Sequence, residues 1–300
     1  MSRPTKDTPA GRAYLDLQNR ARRDKRPTQE LLTLYVLERW LARLAESRHA
    51  GKFVLKGGVL LAVFEARRPT TDADLLARNL PNDEASVVAR VIEIAELEID
   101  PDDGVRFLTG TTSARTIRDD DLYSGVRVGM DCELSTAKVK LWLDVNFGDP
   151  VTPAPQALQL PSQRPGVPGV PVLGYPIETV LAEKSSTAIA LGDTSTRVRD
   201  YVDLYTLTGR QALSYGSVRS ALEATASHRG VEIQPLSVVL GDFVSLREPA
   251  YRAFKRRLGA DGVHLPDSFG DVVGAVVGFV DPLAAGDLLD AWDPGARKWT

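Results

Sequence analysis

The sequence predicts an α+β protein in two lobes, a mixed-sheet lobe followed by a helical one. Strand-like alternation is confined to residues before 150, eight prolines crowd positions 150–176, and helical periodicity takes over from 176 onward. At 300 residues the chain is also long for a single hydrophobic core. The expected organisation is therefore a sheet lobe with an N-terminal helix over 1–150, a proline-rich crossover over 151–175, and a helical lobe over 176–300.

Along the first lobe, residues 28–48 carry Leu31, Leu34, Tyr35, Leu37, Leu41 and Leu44 at helical spacing behind Thr28 and Pro27, which predicts an amphipathic helix. A short strand, Phe53–Leu55, leads into Gly57-Gly58. A brief helix is expected over Val59–Ala66, a strand over Asp72–Ala77, and an amphipathic helix over 83–97. Arg115–Ile117, Val126–Leu134 and Lys138–Phe147 alternate apolar and polar residues as a β-meander does. The prolines at 150, 153, 155, 161, 165, 168, 171 and 176 leave room for one short strand at Val170–Leu173. Beyond them, helices are expected over 176–191, 197–209, 217–228, 236–257, 268–280 and 283–291.

Composition narrows the function classes. Hydrophobic residues make up 43% and charged residues 26%, an ordinary globular balance. The most apolar window, Val272–Val280, is far shorter than the roughly 20 residues a membrane helix needs. The polar N-terminus has no secretory h-region, and the lone Cys132 cannot form an intrachain disulfide, so a reducing cytoplasm is the expected setting. Cys132 continues the alternation of Val126, Val128 and Met130 and reads as a small core residue. A net charge of −3 argues against a general nucleic-acid coat. Two basic clusters stand out against it: Arg20, Arg22, Arg23, Lys25 and Arg26, and Arg252, Lys255, Arg256 and Arg257. Each is either a solvated helix face or a phosphate-binding patch. His49, His228 and His264 are isolated and receive no chemistry.

Three Asp-x-Asp pairs occur: Asp72/Asp74, Asp100/Asp102 and Asp119/Asp121. The last two sit in turn-like sequence, where aspartate is favoured for local reasons. Asp72/Asp74 opens a strand, so both carboxylates project from one face, roughly 6–7 Å apart along the chain. Like charges held together call for a cation, and magnesium prefers hard oxygen ligands. In Lys138–Phe147, Val139, Leu141, Leu143 and Val145 share one face while Lys140, Trp142, Asp144 and Asn146 share the other. Asp144 is thus a candidate third acid for a two-metal site. Upstream, Lys56-Gly57-Gly58 closes a strand where backbone N–H groups can approach a polyphosphate. On the helix that opens the second lobe, Lys184 shares the apolar stripe of Ile177, Val180 and Leu181, so it needs a fixed anion. An NTP phosphate would serve, and so would Asp200 or Asp203 on the next helix.

Taken in order, KGGVLLAVFEARRPTTDADL, LWLDVNF and YPIETVLAEKSSTAIALGDTSTRVRDYVDLYTL resemble the AbiEii/AbiGii-type toxin family over roughly residues 30–210. These are nucleotidyltransferases of the DNA polymerase β-like superfamily, similar to mycobacterial tRNA-modifying toxins. The resemblance implies a polymerase β-like nucleotidyltransferase lobe with a mixed sheet, then an α-helical lobe completing an NTP cleft. It implies Asp72, Asp74 and Asp144 as ligands of Mg²⁺ or Mn²⁺, and carries over Lys184 and Asp200 as catalytic. The activity it implies is transfer of NMP from an NTP to an RNA acceptor, the tRNA 3′ end, with a cognate antitoxin as partner. Many superfamily members have Gly-Ser where this chain has Gly57-Gly58, so a serine contact to phosphate is missing here.

Arg67 and Arg68 are candidates to grip NTP phosphate or RNA. Thr70 and Thr71 precede the acids, and a phosphate on either would place like charge beside the site, an inhibitory modification. Two other functions fit the same residues: nucleotidyl transfer to a small molecule or a protein, and NTP binding without catalysis as a regulator.

Overall fold

A computed structural model describes residues 4–119, 123–287 and 289–300. The fold is mixed α and β, in two compact units. The first comprises the chain up to Val63, Pro69–Gly148 and Gln156–Gly174; the second comprises Phe64–Arg68, Asp149–Pro155 and Tyr175–Thr300.

The first unit opens with a helix that periodicity did not reveal, α1 (Pro9–Arg23). Thr8 caps it by accepting the Gly11 N–H at 3.1 Å, and Pro9 fits the first turn because no N–H is needed there. Arg20, Arg22 and Arg23 fall in its last turn, where cations offset the helix dipole. α2 (Thr28–Glu46) follows as expected, burying Leu31, Tyr35, Trp40 and Leu41. Its Arg43 is also buried and forks onto the carboxylate of Asp103, at 2.6 and 3.2 Å.

The sheet contains β1 (Phe53–Lys56), β2 (Ala73–Ala77), β3 (Val105–Asp119), β4 (Tyr123–Leu134), β5 (Ala137–Phe147), β6 (Gln156–Leu160) and β7 (Val170–Gly174). Among the described residues its strand order is β3-β4-β5-β2-β1-β7-β6. β5–β2 and β1–β7 are parallel and the other neighbours antiparallel, so the sheet is mixed. The brief helix is α3 (Gly57–Leu60), four residues that begin on the glycines instead of at Val59. α4 (Glu84–Ala95) starts at Asp83, which accepts the Ser86 N–H at 2.8 Å.

The proline-rich stretch contains the expected short strand, as β7, and also a strand that was not expected, β6, so it supplies two strands of this sheet. β6 is an edge strand. In β7, Pro171 pairs with Gln159 of β6, whereas β1 meets β7 at Gly174, so the missing N–H interrupts no ladder to β1. Asp102 plays the local role expected of it, accepting the Gly104 N–H at 2.8 Å. Asp121, from the third pair, lies outside the described residues. Cys132 is buried, and burial pushes its thiol up to about 12.

The second unit is mainly helical: α5 (Ile177–Leu191), α6 (Val198–Thr208), α7 (Tyr215–Arg229), α8 (Leu236–Val239), α9 (Phe243–Leu258) and α10 (Phe269–Ala285). One expected helix over 236–257 is broken into α8 and α9 around Gly241, whose φ is +42°. α10 runs through Pro282 instead of ending at 280. The last expected helix, 283–291, is overturned beyond Ala285. A small antiparallel sheet of β8 (Leu213–Ser214), β9 (Ala291–Asp293) and β10 (Lys298–Trp299) holds the end of the chain. Trp292 and Trp299 pack on Phe279 there, and their indole N–H groups donate to the carbonyls of Thr208 and Phe279. Among the described residues no helix is long and apolar enough to cross a membrane.

Candidate active site

β2 lies between β1 and β5, and the register brings polar residues from all three strands into line. Asp74 stands opposite Lys56 on β1 and opposite Asp144 on β5. Asp72 immediately precedes β2. Parallel pairing of β2 with β5 thus brings Asp72, Asp74 and Asp144 together from positions 70 residues apart in sequence. Asp144 is 6% exposed although it lies on the strand's polar face, so that face is covered at this point.

Asp74 carries the electrostatic load. Burial first, and then the charges of Asp72 and Asp144, raise its carboxyl from the ordinary 3.8 to about 6. Lys56 and the backbone N–H of Gly58 act in the opposite direction. Gly57 leaves room for Asp74: its φ is +66°, and a Cβ built on it would lie 1.8 Å from Asp74 Oδ2. The Gly-Gly turn therefore serves Asp74 directly, through one glycine's small size and the next one's N–H.

Sequence reading missed one member of the cluster, Arg127 on β4. Its Nε donates to Asp144 Oδ1 at 2.6 Å, its Nη2 donates to Asp144 Oδ2, and the same Nη2 reaches Asp72 Oδ2 at 3.3 Å. The hydrogen bond to Asp144 raises the Arg127 pKa, with the charges of Asp144, Asp72 and Asp74 adding to it. Thr70 is tied in too, its hydroxyl donating to Asp72 Oδ1 at 3.0 Å. Thr71 is exposed.

A second cluster lies in the helical unit. Lys184 of α5 donates to Asp200 Oδ1 at 2.8 Å and to Asp203 Oδ2 at 2.7 Å, both on α6. Arg197 donates to Asp200 at 2.6 Å, and Arg68 reaches both oxygens of Asp203 at 3.1 and 3.2 Å. Burial alone would depress the Lys184 ammonium, but Asp200 and then Asp203 hold its pKa above the ordinary value. Burial would likewise raise Asp200, yet Lys184 and Arg197 keep it well below the carboxylate range. The anion partners of Lys184 are thus both aspartates at once, and Asp203 is as closely engaged as Asp200. Arg67 and Arg68 line a pocket of about 390 Å³ in this unit, together with Asp203, Thr206, Arg210 and His264.

The described residues include no group of three or more His, Cys, Asp or Glu side chains spaced to hold a metal ion. Both oxygens of Asp144 are engaged by Arg127. In kind, however, the donors suit a divalent cation. Asp72, Asp74 and Asp144 are hard carboxylate ligands, and their mutual repulsion, seen in the raised Asp74, is what a bound cation relieves.

The family model described as the nucleotidyl transferase AbiEii toxin of type IV toxin–antitoxin systems matches residues 39–274. The chain belongs to this family. An AbiEii-family match of that extent takes in both clusters, since Asp72, Asp74, Asp144, Lys184, Asp200 and Asp203 all fall inside it. No curated protein matches the chain at a significant level. Among solved structures, a Helicobacter pylori protein described as a candidate nucleotidyltransferase is 16% identical, over 86% of this chain and 93% of its own, with a TM-score of 0.42. JHP933 from Helicobacter pylori is 15% identical, over 85% of this chain and 94% of its own, with a TM-score of 0.46.

Proposed function

We propose that this AbiEii-family chain transfers a nucleoside monophosphate from an NTP to an RNA acceptor, the 3′ end of tRNA, and releases pyrophosphate. The observation that carries the reading is the meeting of Asp72 and Asp74, at the start of β2, with Asp144 on the adjacent strand β5, the Asp74 carboxyl being pushed up to about 6. Such a cluster is costly to the fold and suits a cation-dependent site.

In this reading Asp72 and Asp74, with Asp144, hold Mg²⁺ or Mn²⁺. Bound divalent ions at such a site supply charge stabilisation at the α-phosphate and a lowered pKa for the acceptor hydroxyl. The acceptor oxygen forms a bond to the α-phosphorus as the α–β bridging bond breaks. Lys56 and the Gly57 backbone lie next to Asp74 and serve the phosphates, whereas the Gly58 N–H, a candidate for the same purpose, is given to Asp74. Within the helical unit, Lys184 directs two of its three N–H donors to Asp200 and Asp203, and we assign Lys184 and Asp200 to the NTP on the strength of the family resemblance. Arg67 and Arg68 contribute further positive charge for phosphate or RNA. A cognate antitoxin would restrain the enzyme, and phosphorylation of Thr70 or Thr71 is a chemically direct means, because Thr70 already touches Asp72.

The test is incubation of the purified protein with each labelled NTP, Mg²⁺ and total RNA. Label on tRNA that disappears in Asp72→Asn and Asp74→Asn supports the proposal. Label on protein or on a small molecule transfers the reading to another acceptor. Tight NTP binding without any label makes the chain a nucleotide-binding regulator.

A further inference from the structure

Arg127 has no part in the two-metal reading, yet it is bound to two of the acids of that site. β4 and β5 are joined by the two residues Ser135 and Thr136, and the register set by that turn places Arg127 directly opposite Asp144. The guanidinium lies side-on to Asp144, using Nε for one oxygen and Nη2 for the other, and Nη2 extends to Asp72. One cation thus bridges two of the three acids. The Arg127 side chain is 29% exposed, so it borders solvent. Lys56 faces Asp74 from β1 on the other side of β2, and Thr70 donates to the remaining oxygen of Asp72.

We infer that Arg127 is a positioning residue that sets the affinity of the site for its divalent cation, because guanidinium and cation compete for the same oxygens of Asp72 and Asp144. The inference rests on the metal-site reading above. Without the cation, Arg127 holds the acids in place and offsets their repulsion. With the cation, Asp144 and Asp72 exchange nitrogen donors for the ion, and a positive charge that remains close by weakens its binding. Selection between cations follows from the same competition. An ion that binds carboxylates strongly displaces the arginine more readily than one that gives up its water reluctantly, as magnesium does.

The test is direct Mn²⁺ titration of the full chain at pH 8, by calorimetry or by loss of the free-ion electron paramagnetic resonance signal, without nucleotide. Asp72→Asn, Arg127→Gln and Arg127→Lys are compared with the wild type. The expected result is that Arg127→Gln binds Mn²⁺ more tightly, on the order of tenfold. It should also melt at a lower temperature than the wild type in EDTA and gain more from added Mn²⁺. Should Arg127→Gln fail to fold by circular dichroism, Arg127→Lys decides. It keeps the charge but loses the fork, and it should bind Mn²⁺ more tightly than the wild type by a smaller factor. Unchanged or weaker Mn²⁺ binding in the folded variant overturns the inference while leaving the metal site intact. Equal Mn²⁺ binding by the wild type and Asp72→Asn, or none by either, overturns the metal-site reading and the inference with it.

Discussion

Gly57 and Asp74 are in such close approach that a single methyl group on Gly57 would stand 1.8 Å from Asp74 Oδ2 and 2.7 Å from its Cβ. Gly57 opens α3 directly after β1 and Asp74 lies on β2, the strand paired with β1, and the glycine's φ of +66° belongs to a region that side chains disfavour. Gly57→Ala therefore combines a backbone penalty of roughly 1–2 kcal/mol with expulsion of the Asp74 carboxylate. The expected outcome is a chain that folds with a lowered melting temperature and has lost nucleotidyl transfer. Gly51→Ala is the control: a Cβ there meets nothing within 4 Å, and its stability should stay within about 0.5 kcal/mol of the wild type. Thermal melts of the two variants, side by side, check this.

The raised Asp74 carboxyl makes stability and activity respond oppositely to pH. Its folded value of about 6 lies above the ordinary 3.8, so the folded state holds the extra proton between those values. Stability from this group therefore falls as pH rises from about 4 through 6. Asp74→Asn removes the penalty. In EDTA it should be more stable than the wild type at pH 8, by on the order of 1–3 kcal/mol, and no more stable at pH 4. Urea titrations at the two pH values decide it. Activity should rise through pH 6 as Asp74 ionises, and saturating metal should move that rise to lower pH.

Lys184 is held by two acids, and Lys184→Met leaves Asp200 and Asp203 facing each other with Arg197 and Arg68 as their remaining cations. Loss of one partner from so enclosed a cluster costs about 3–5 kcal/mol. The folded pKa of Asp200 is depressed, so its contribution is present above the ordinary 3.8 and is lost as pH falls below it. Lys184 is raised, so its share is complete below 10.5 and disappears as pH rises beyond. The difference between wild type and variant should accordingly be widest near neutral pH and shrink at both extremes. A constant difference from pH 3 to 11 would argue against this account.

Thr70 donates to Asp72 Oδ1 at 3.0 Å. Thr70→Val removes one hydrogen bond to the Asp72 carboxylate and should weaken Mn²⁺ binding by about tenfold or more, in line with the roughly 1.5–3 kcal/mol of a hydrogen bond to a charged group. Thr70→Glu adds a negative charge beside Asp72, as a phosphate would, and should abolish transfer. Equal, mild effects of the two substitutions would remove the basis for regulation by phosphorylation at this position.

Much of the sheet was legible because its strands alternate over long runs, and β4 and β5 also fix their own register through a two-residue turn. That register contained Arg127. Residue numbers facing each other across such a hairpin have a constant sum, so Leu134 opposite Ala137 already places Arg127 opposite Asp144. The parallel pairing of β2 with β5 was not readable, because it depends on contacts far apart in sequence. The acids could be nominated individually from their strand faces, whereas their meeting required the fold. β7 was legible as the short strand at Val170–Leu173, but β6 was obscured by prolines that signal an irregular chain unless one knows which edges need no N–H. β8, β9 and β10 are two or three residues each, too short for any alternation, and tryptophan packing holds them. On α5, Lys184 was legible from its misplaced charge on an apolar stripe, but a choice between phosphate and aspartate as its partner lay beyond periodicity.

The two strands among the prolines determine how this chain can be cut. A fragment ending at residue 150, where the sequence changes character, would lack β6 and β7. All four residues of β1 are buried, and β7 pairs along its flank at Leu55. Shortening the chain there would turn a protected inner strand into a bare, apolar sheet edge, the kind of surface on which copies aggregate. Any fragment meant to carry the acids of β2 and β5 by itself would have to extend through Gly174.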